Sequence, residues 1–210
     1  MAAMMSIQLH NNLQKKLDPV LQNFAFHKQA DLLHNGVFLD QNKMKVQVDK
    51  CTGYVSVMLY ARNLSITWGD DKRYWTWTFM PEPNHPGSLI EVAELLSVCW
   101  LEAKGEFDAS LLMSGLTYEV VFTVKLKCDG YGWDDHPVTL KLEEGNRITE
   151  CKEKLNNKPK DQWIELNAGT FLNCGCETGM VKFSLFETVG GQWKKGLVIK
   201  GVTIRPKIPN

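Results

Sequence analysis

Two tryptophan-rich stretches hold the residue types in this sequence that are best suited to binding chemistry. Residues 65–77 and 191–196 together contain four of the seven tryptophans, beside Asp, Tyr and Lys side chains. A hydrophobic core does not require that mixture. An aromatic face binds apolar C–H patches, while neighbouring donors and acceptors recognise hydroxyl and amide groups. The combination is typical of a site for sugars.

The surroundings of each tryptophan predict its role. Trp68 and Trp193 lie in polar, glycine-containing sequence at strand ends, so we expect them on loops as ligand platforms. Trp75 and Trp77 are two positions apart and share one face of a strand. We expect one of them to close the edge of the core and the other to meet the ligand.

Three further tryptophans lie outside these stretches. Trp100 alternates with Val98 in an apolar segment, and this pattern predicts a core position for it. Trp163 is also predicted to be core. Trp133 lies in a glycine-containing loop, where a buried plug and an exposed contact both fit the sequence.

Catalytic and metal-binding patterns are weak throughout the chain. The GxSxG, HExxH, P-loop and GxGxxG motifs do not occur. Adjacent acids occur at 70–71 and at 134–135. Within each pair the two side chains point to opposite faces of an extended segment, so neither pair alone places two carboxylates on either side of one substrate bond. The five histidines are scattered, and Cys174 and Cys176 lack a second ligand pair at zinc-site spacing. We therefore expect no catalytic residue, no metal and no cofactor.

Bulk composition narrows the classes of partner. The 210 residues have a formal net charge of zero, which argues against a nucleic-acid binder. No apolar run reaches the roughly 20 residues of a membrane span, and the N-terminus does not have the pattern of a secretory signal. We expect a cytoplasmic protein that carries free thiols.

The pattern of apolar residues predicts an all-β fold with a short helical start. Residues 8 to about 30 have helical spacing, with a kink or break at Pro19. Residues 37–60 have the pattern of a hairpin with its turn at 49–53. In the remainder, strands are separated by glycine-containing turns, and the clearest period-two run is 118–126. Many short strands at this spacing favour a β-sandwich of jelly-roll type. No long helices alternate with the strands, so a parallel α/β sheet is disfavoured.

Six blocks of this sequence, in order, resemble the phloem protein 2 lectins of plants. They are residues 64–68, 74–77, 91–95, 98–102, 193–201 and 204–206. The resemblance covers residues 58–210 nearly without gaps, which divides the chain into an N-terminal extension at 1–57 and a carbohydrate-binding domain at 58–210.

The resemblance implies a non-catalytic lectin with a jelly-roll sandwich. Its expected ligands are N-acetylglucosamine oligomers, including chitin fragments and the chitobiose core of N-glycans. It also implies a homodimer in the cytoplasm of phloem companion cells and sieve elements, with a role in defence or transport. No membrane or nucleic-acid partner is expected.

The resemblance further implies a sugar site built on Trp68 and Trp75 with two acids on the strand before the last. One acid matches Glu187. The other falls at Met180, a poor acceptor, and Glu177 is the alternative acid. Together with neighbouring polar residues, the predicted binding set is Trp68, Asp70, Tyr74, Trp75, Glu187, Trp193, Lys194 and Lys195.

Two other function classes compete with the lectin hypothesis. A glycoside hydrolase acting on chitin needs two carboxylates about 5 to 10 Å apart across a groove. A protein-interaction module would use the exposed tryptophans to bind a protein partner, with the N-terminal segment driving assembly. Binding and hydrolysis of chitotriose distinguish the three classes.

Overall fold

The structure, a computed structural model, describes residues 9, 11–83, 85, 87–175 and 179–208. His10, Cys176 and Glu177 lie outside the described residues. Two helices come first, α1 (Asn11–Leu21) and α2 (Phe26–Asn35). Thirteen strands follow: β1 (Val37–Leu39), β2 (Met44–Val48), β3 (Val55–Tyr60), β4 (Ser65–Ile66), β5 (Trp75–Pro81), β6 (Leu89–Leu95), β7 (Leu101–Asp108), β8 (Leu116–Tyr131), β9 (Val138–Glu144), β10 (Arg147–Glu153), β11 (Trp163–Asn173), β12 (Met180–Glu187) and β13 (Lys195–Pro206).

The strands form two antiparallel sheets that pack as a sandwich. One sheet has five strands in the order β10-β9-β12-β7-β4. The other has eight strands and is organised by β13, which pairs along one edge with β8 and along the other with β3 and β6. The predicted all-β sandwich with an N-terminal helical segment is confirmed.

The core lies between the two sheets and follows the alternation seen in the sequence. On β8, every second side chain from Tyr118 to Leu126 is fully buried. Phe122 of that set meets Phe183 of β12 edge to face, with ring centroids 6.0 Å apart. Each such side chain contributes roughly 1.5–3 kcal/mol by leaving water, so the strongest periodic run is also the centre of the fold.

The N-terminal segment packs on this same core. Leu13, Leu17 and Leu21 on one face of α1 are buried in it. Pro19 lies inside α1, and the helix ends two residues later, so the predicted break separates two short helices. Strand β2 then pairs with β3, which pairs with β13. The division expected between residues 57 and 58 therefore falls within a strand of the larger sheet.

One sequence prediction about strands is wrong, and strand β10 was not predicted. The segment from Val98 to Leu101 is not a strand buried on both faces, because β7 begins only at Leu101 and Trp100 lies in the bend before it. Trp100 is 46% exposed. Only weak alternation marks β10 at the sheet edge, where Ile148 is exposed. Trp163, which the sequence analysis assigns to the core, is half-buried. The Lys125 ammonium lies 4.8 Å from its ring centroid.

Within the described ranges, neither helix is long and apolar enough to cross a membrane. The same residues contain no cluster of three His, Cys, Asp or Glu side chains able to hold a metal ion. Cys51, Cys99, Cys128 and Cys151 carry free thiols.

Candidate functional site

The loop between β4 and β5 turns sharply at Trp68. The backbone of Trp68 has φ 57°, in the left-handed region, which costs a non-glycine residue roughly 1–2 kcal/mol. The indole is 47% exposed. The Tyr74 ring lies beside it, with the two ring centroids 5.2 Å apart and the rings tilted by 36°. The loop therefore presents a large aromatic surface to solvent with a second ring supporting it.

Two buried or half-buried indoles hold the chain on either side of Trp68. Trp75 Nε1 donates to the carbonyl oxygen of Thr67 at 3.1 Å, and Trp77 Nε1 donates to that of Gly69 at 2.7 Å. Trp75 and Trp77 are two positions apart on β5 and share a face. The two indoles therefore reach loop carbonyls that are also two positions apart. Both flanking carbonyls are thereby fixed, and the Trp68 side chain between them is exposed to solvent.

The placement of Trp75 corrects its expected role as a ligand contact. Its side chain is 1% exposed, so no face of the ring is accessible to a ligand in this structure. Trp77 is covered by the guanidinium of Arg62, 3.5 Å from the ring centroid. The spacing correctly predicts that the two indoles share a face, but both support the loop that carries Trp68.

The acids of this loop differ in their surroundings. The Asp70 side chain is 99% exposed, and its Oδ1 lies 3.5 Å from Nη1 of Arg62. Asp71 is turned toward Arg73, whose Nη2 donates to Oδ2 at 2.6 Å. The hydrogen bonds from the Arg73 side chain, followed by the one from its backbone N–H, lower the pKa of Asp71 to about 2. Asp70 is thus the loop carboxylate open to a ligand.

Titration of Asp71 provides a local test of this arrangement. Its carboxyl should titrate with a pKa of about 2, and in Arg73→Gln the pKa should rise part of the way to the ordinary 3.8, because the backbone N–H still donates. Carboxyl-carbon NMR over a pH series measures this. Lys72→Gln, which removes an exposed neighbouring charge, should leave the pKa unchanged. An unaltered pKa in Arg73→Gln would contradict the contact.

A buried ion pair braces the second tryptophan loop, residues 188–194. Glu187, at the end of β12, pairs with Lys194, and only 4% and 1% of the two side chains are exposed. Lys194 Nζ also donates to the carbonyl oxygens of Cys99 and Gln192, both at 2.8 Å. The expectation that Glu187 and Lys194 contact a ligand is corrected. They secure the loop that leaves Trp193 53% exposed.

The Glu187 carboxylate is held in its charged form. Burial alone would raise its pKa, but the Lys194 ammonium and the backbone N–H groups of Gly190 and Val189 outweigh burial and lower the pKa below 4.5. Oε1 accepts from those two N–H groups at 2.9 and 3.0 Å. The carboxylate therefore closes the turn as well as neutralising the lysine.

Lys195 and Trp133 complete the support beneath this loop. Lys195 Nζ lies 2.9 Å from Oδ2 of Asp129, with about a third of its side chain exposed. Trp133 is 3% exposed and donates from Nε1 to the carbonyl oxygen of Lys195 at 2.9 Å, so it is the buried plug. Gly132, at φ 83°, passes so close to the Trp193 carbonyl that a Cβ would collide with it.

The segment 96–99 brings the two tryptophan loops to one end of the sandwich. Leu96 N donates to the carbonyl oxygen of Tyr74 at 2.8 Å, in the first loop. Val98 and Lys194 exchange backbone hydrogen bonds at 2.7 and 3.1 Å, in the second. We call this end, with Trp68, Tyr74, Trp100 and Trp193, the aromatic rim.

Trp100 is the rim residue that sequence analysis missed. The signal for it lies further along the strand, where Leu101 and Ala103 are fully buried. Because side chains alternate, that register assigns Trp100 to the outward face with Glu102 and Lys104. The apolar neighbours Val98 and Cys99 obscured this register.

Comparison with known proteins settles the family. The phloem protein 2 family model matches residues 54–206. This chain belongs to the phloem protein 2 family. A phloem protein 2-like A1 protein of Arabidopsis thaliana is 43% identical over 182 residues, covering 85% of this chain and 72% of the relative. A protein of Luffa acutangula named as a lectin is 37% identical over 185 residues, 87% and 86% of the two chains. The F-box protein PP2-B10 of Arabidopsis thaliana is 32% identical over 212 residues, 91% and 76%.

The two acid positions expected of a phloem protein 2 site do not meet in this chain. Met180 and Glu187 are at opposite ends of β12, seven residues and therefore roughly 23 Å apart. An odd separation also places them on opposite faces, with Met180 exposed and Glu187 buried. One sugar ring cannot contact both positions in this structure.

Proposed function

We propose that this phloem protein 2 family member is a non-catalytic lectin that binds N-acetylglucosamine oligomers at the aromatic rim. Its ligands would include chitin fragments and the chitobiose core of N-glycans. The observation that carries the proposal is the fixed outward indole of Trp68, held in a left-handed conformation by hydrogen bonds to both flanking carbonyls. Strain that the surroundings maintain at one residue points to a functional site.

The chemistry of the sugar fits the rim. The N-acetylglucosamine ring has an apolar C–H face, hydroxyl groups and an acetamide. Trp68 would stack on the C–H face or the acetyl methyl group, while Asp70 would accept from hydroxyl or amide hydrogens. Tyr74 and Trp193 would frame the ring on either side. Each neutral hydrogen bond contributes roughly 1 kcal/mol net, so a single sugar should bind weakly.

The naming of the Luffa acutangula relative as a lectin supports carbohydrate binding. We place the activity in phloem cytoplasm, as the resemblance implies, and propose a homodimer whose two rims bind multivalent glycans with avidity.

Two of the carboxylates near the rim are unsuited to the acid step of glycoside hydrolysis. A glycosidase acid needs a raised pKa so that it stays protonated near neutral pH. The pKa values of Asp71 and Glu187 are lowered instead, and each carboxylate is already paired with a cation. Neither is available as a proton donor.

Titration with chitotriose tests the proposal. We expect a saturable change in tryptophan fluorescence, heat in calorimetry, and no release of reducing ends. Cellotriose, which has the same backbone linkage without acetamides, is the matched control ligand and should bind more weakly. No binding of chitotriose at millimolar concentration would refute the lectin proposal. That result would favour a protein-interaction module, and one relative is named an F-box protein.

A further inference from the structure

The outer face of the five-stranded sheet forms a groove that begins at the aromatic rim. Its volume is about 960 Å³, and it is lined at the rim end by Ser65, Trp100, Phe186 and Thr188. From there it extends across β7, β12 and β9. Trp100 thus belongs both to the rim and to the groove.

Outward side chains of three neighbouring strands form rows across the groove floor. Phe186 lies opposite Glu102 in the row nearest the rim, Ser184 lies opposite Lys104 in the next, and Lys182 follows in the third. Rows are two residues apart on each strand, or about 7 Å, so the three rows span about 14 Å from the first to the third. This length exceeds what a single sugar ring at the rim would use.

The charges of the groove floor cancel. Three Glu and three Lys side chains line it: Glu102, Lys104, Glu106, Lys141, Glu143 and Lys182. Lys141 pairs with Glu143 at 2.7 Å, and Lys104 lies 3.7 Å from Glu102. Lys182 is directly opposite both Glu106 and Glu143 in the strand register. The floor offers hydrogen-bond donors and acceptors in alternation without a net field.

Such a floor suits a neutral polyhydroxylated chain. A nucleic acid or other polyanion requires a basic excess, and the buried centre of a protein interface is depleted in charged residues. We infer that this groove is the continuation of the rim site, and that it binds the further rings of a linear oligosaccharide longer than three residues, with Trp100 at the junction. This inference rests on the proposed function and adds a preference for long chains.

The test compares chitotriose with chitohexaose by calorimetry on the full chain. The wild-type protein should bind the hexamer more than about tenfold tighter than the trimer, since two added net hydrogen bonds give at least that factor. A site confined to the rim should bind the hexamer only about fourfold more tightly than the trimer, because the hexamer contains several overlapping trimer units. In Trp100→Ala, and in Ser184→Phe, which fills the middle of the groove, the hexamer-to-trimer ratio should fall to that statistical value.

Phe79→Ala is the matched control, because it removes an exposed aromatic ring from β5 of the other sheet. It should keep the wild-type ratio. Backbone amide signals of residues 182–186 should shift in NMR spectra with the hexamer and not with the trimer. A wild-type hexamer-to-trimer ratio near fourfold, or a ratio that neither groove variant lowers, contradicts binding of sugar in the groove. The proposed lectin site at the rim would then still stand. Failure of both oligomers to bind overturns both.

Discussion

Lys194→Met should lower the free energy of unfolding by about 3–5 kcal/mol, the usual effect of removing one partner from a buried ion pair. The substitution keeps the apolar stem but leaves the buried Glu187 carboxylate without its cation. It also takes the donor from the carbonyls of Cys99 and Gln192. Urea unfolding followed by tryptophan fluorescence measures the change. Chitotriose affinity should fall as well, because Trp193 loses its anchored neighbour.

Lys195→Met is the control, one residue away. Its ion pair with Asp129 is partly exposed, at 34% and 51%, so its loss should cost no more than about 1 kcal/mol. Adding Glu187→Gln to Lys194→Met should recover part of the lost stability, because the unpaired charge is then gone. Equal effects of Lys194→Met and Lys195→Met would show that the buried pair does not stabilise the fold.

The same pair has a predictable pH dependence. The folded-state pKa of Glu187 is lowered from 4.5, so its contribution to stability is present above pH 4.5 and is lost as pH falls through the lowered value. The stability gap between wild type and Lys194→Met should therefore narrow in acid.

Trp68→Gly should reduce chitotriose affinity at least about 30-fold, since aromatic anchors at the centre of a site commonly contribute 2 kcal/mol or more. Stability should change by no more than about 1 kcal/mol. Glycine adopts φ 57° without the steric cost that tryptophan bears there, which offsets its greater freedom in the unfolded chain and the lost contact with Tyr74. Calorimetric titration and urea unfolding on the same preparation give both quantities.

Phe79→Ala again provides the comparison, as an exposed ring lost elsewhere on the surface. It should retain wild-type affinity. The chitotriose affinity of Trp68→Phe should lie between those of the wild type and Trp68→Gly, because a smaller ring still stacks. A folded Trp68→Gly protein with full affinity for chitotriose would remove Trp68 from the site and with it the observation that carries the proposed function.

Sequence alone predicted the parts of the fold in which neighbouring residues determine the outcome. The period-two run on β8 gives both the strand and its buried face, and the 49–53 turn follows from Asp49, whose carboxylate accepts from the backbone of Cys51 and Thr52. The helical spacing of Leu13, Leu17 and Leu21 likewise identifies the face of α1 that packs.

The parts of the site that sequence did not predict depend on distant contacts. A lysine in the polar run 191–196 has the local pattern of an exposed residue. Lys194 is buried only because Glu187 and the carbonyl of Cys99, 95 positions away, converge on it. Trp75 is similar, since it is buried in a core cluster that contains residues of both sheets. Local patterns located the rim but did not separate the residues that face solvent from those that support them.

The position of β13 in the chain has a consequence for biosynthesis. β13 follows all the other described strands, yet it is the strand on which β3, β6 and β8 assemble. While the ribosome is still translating, these three strands have unpaired edges and exposed apolar faces. The larger sheet can therefore close only after nearly the whole domain has emerged from the exit tunnel, and we expect slow folding and dependence on chaperones for the nascent protein.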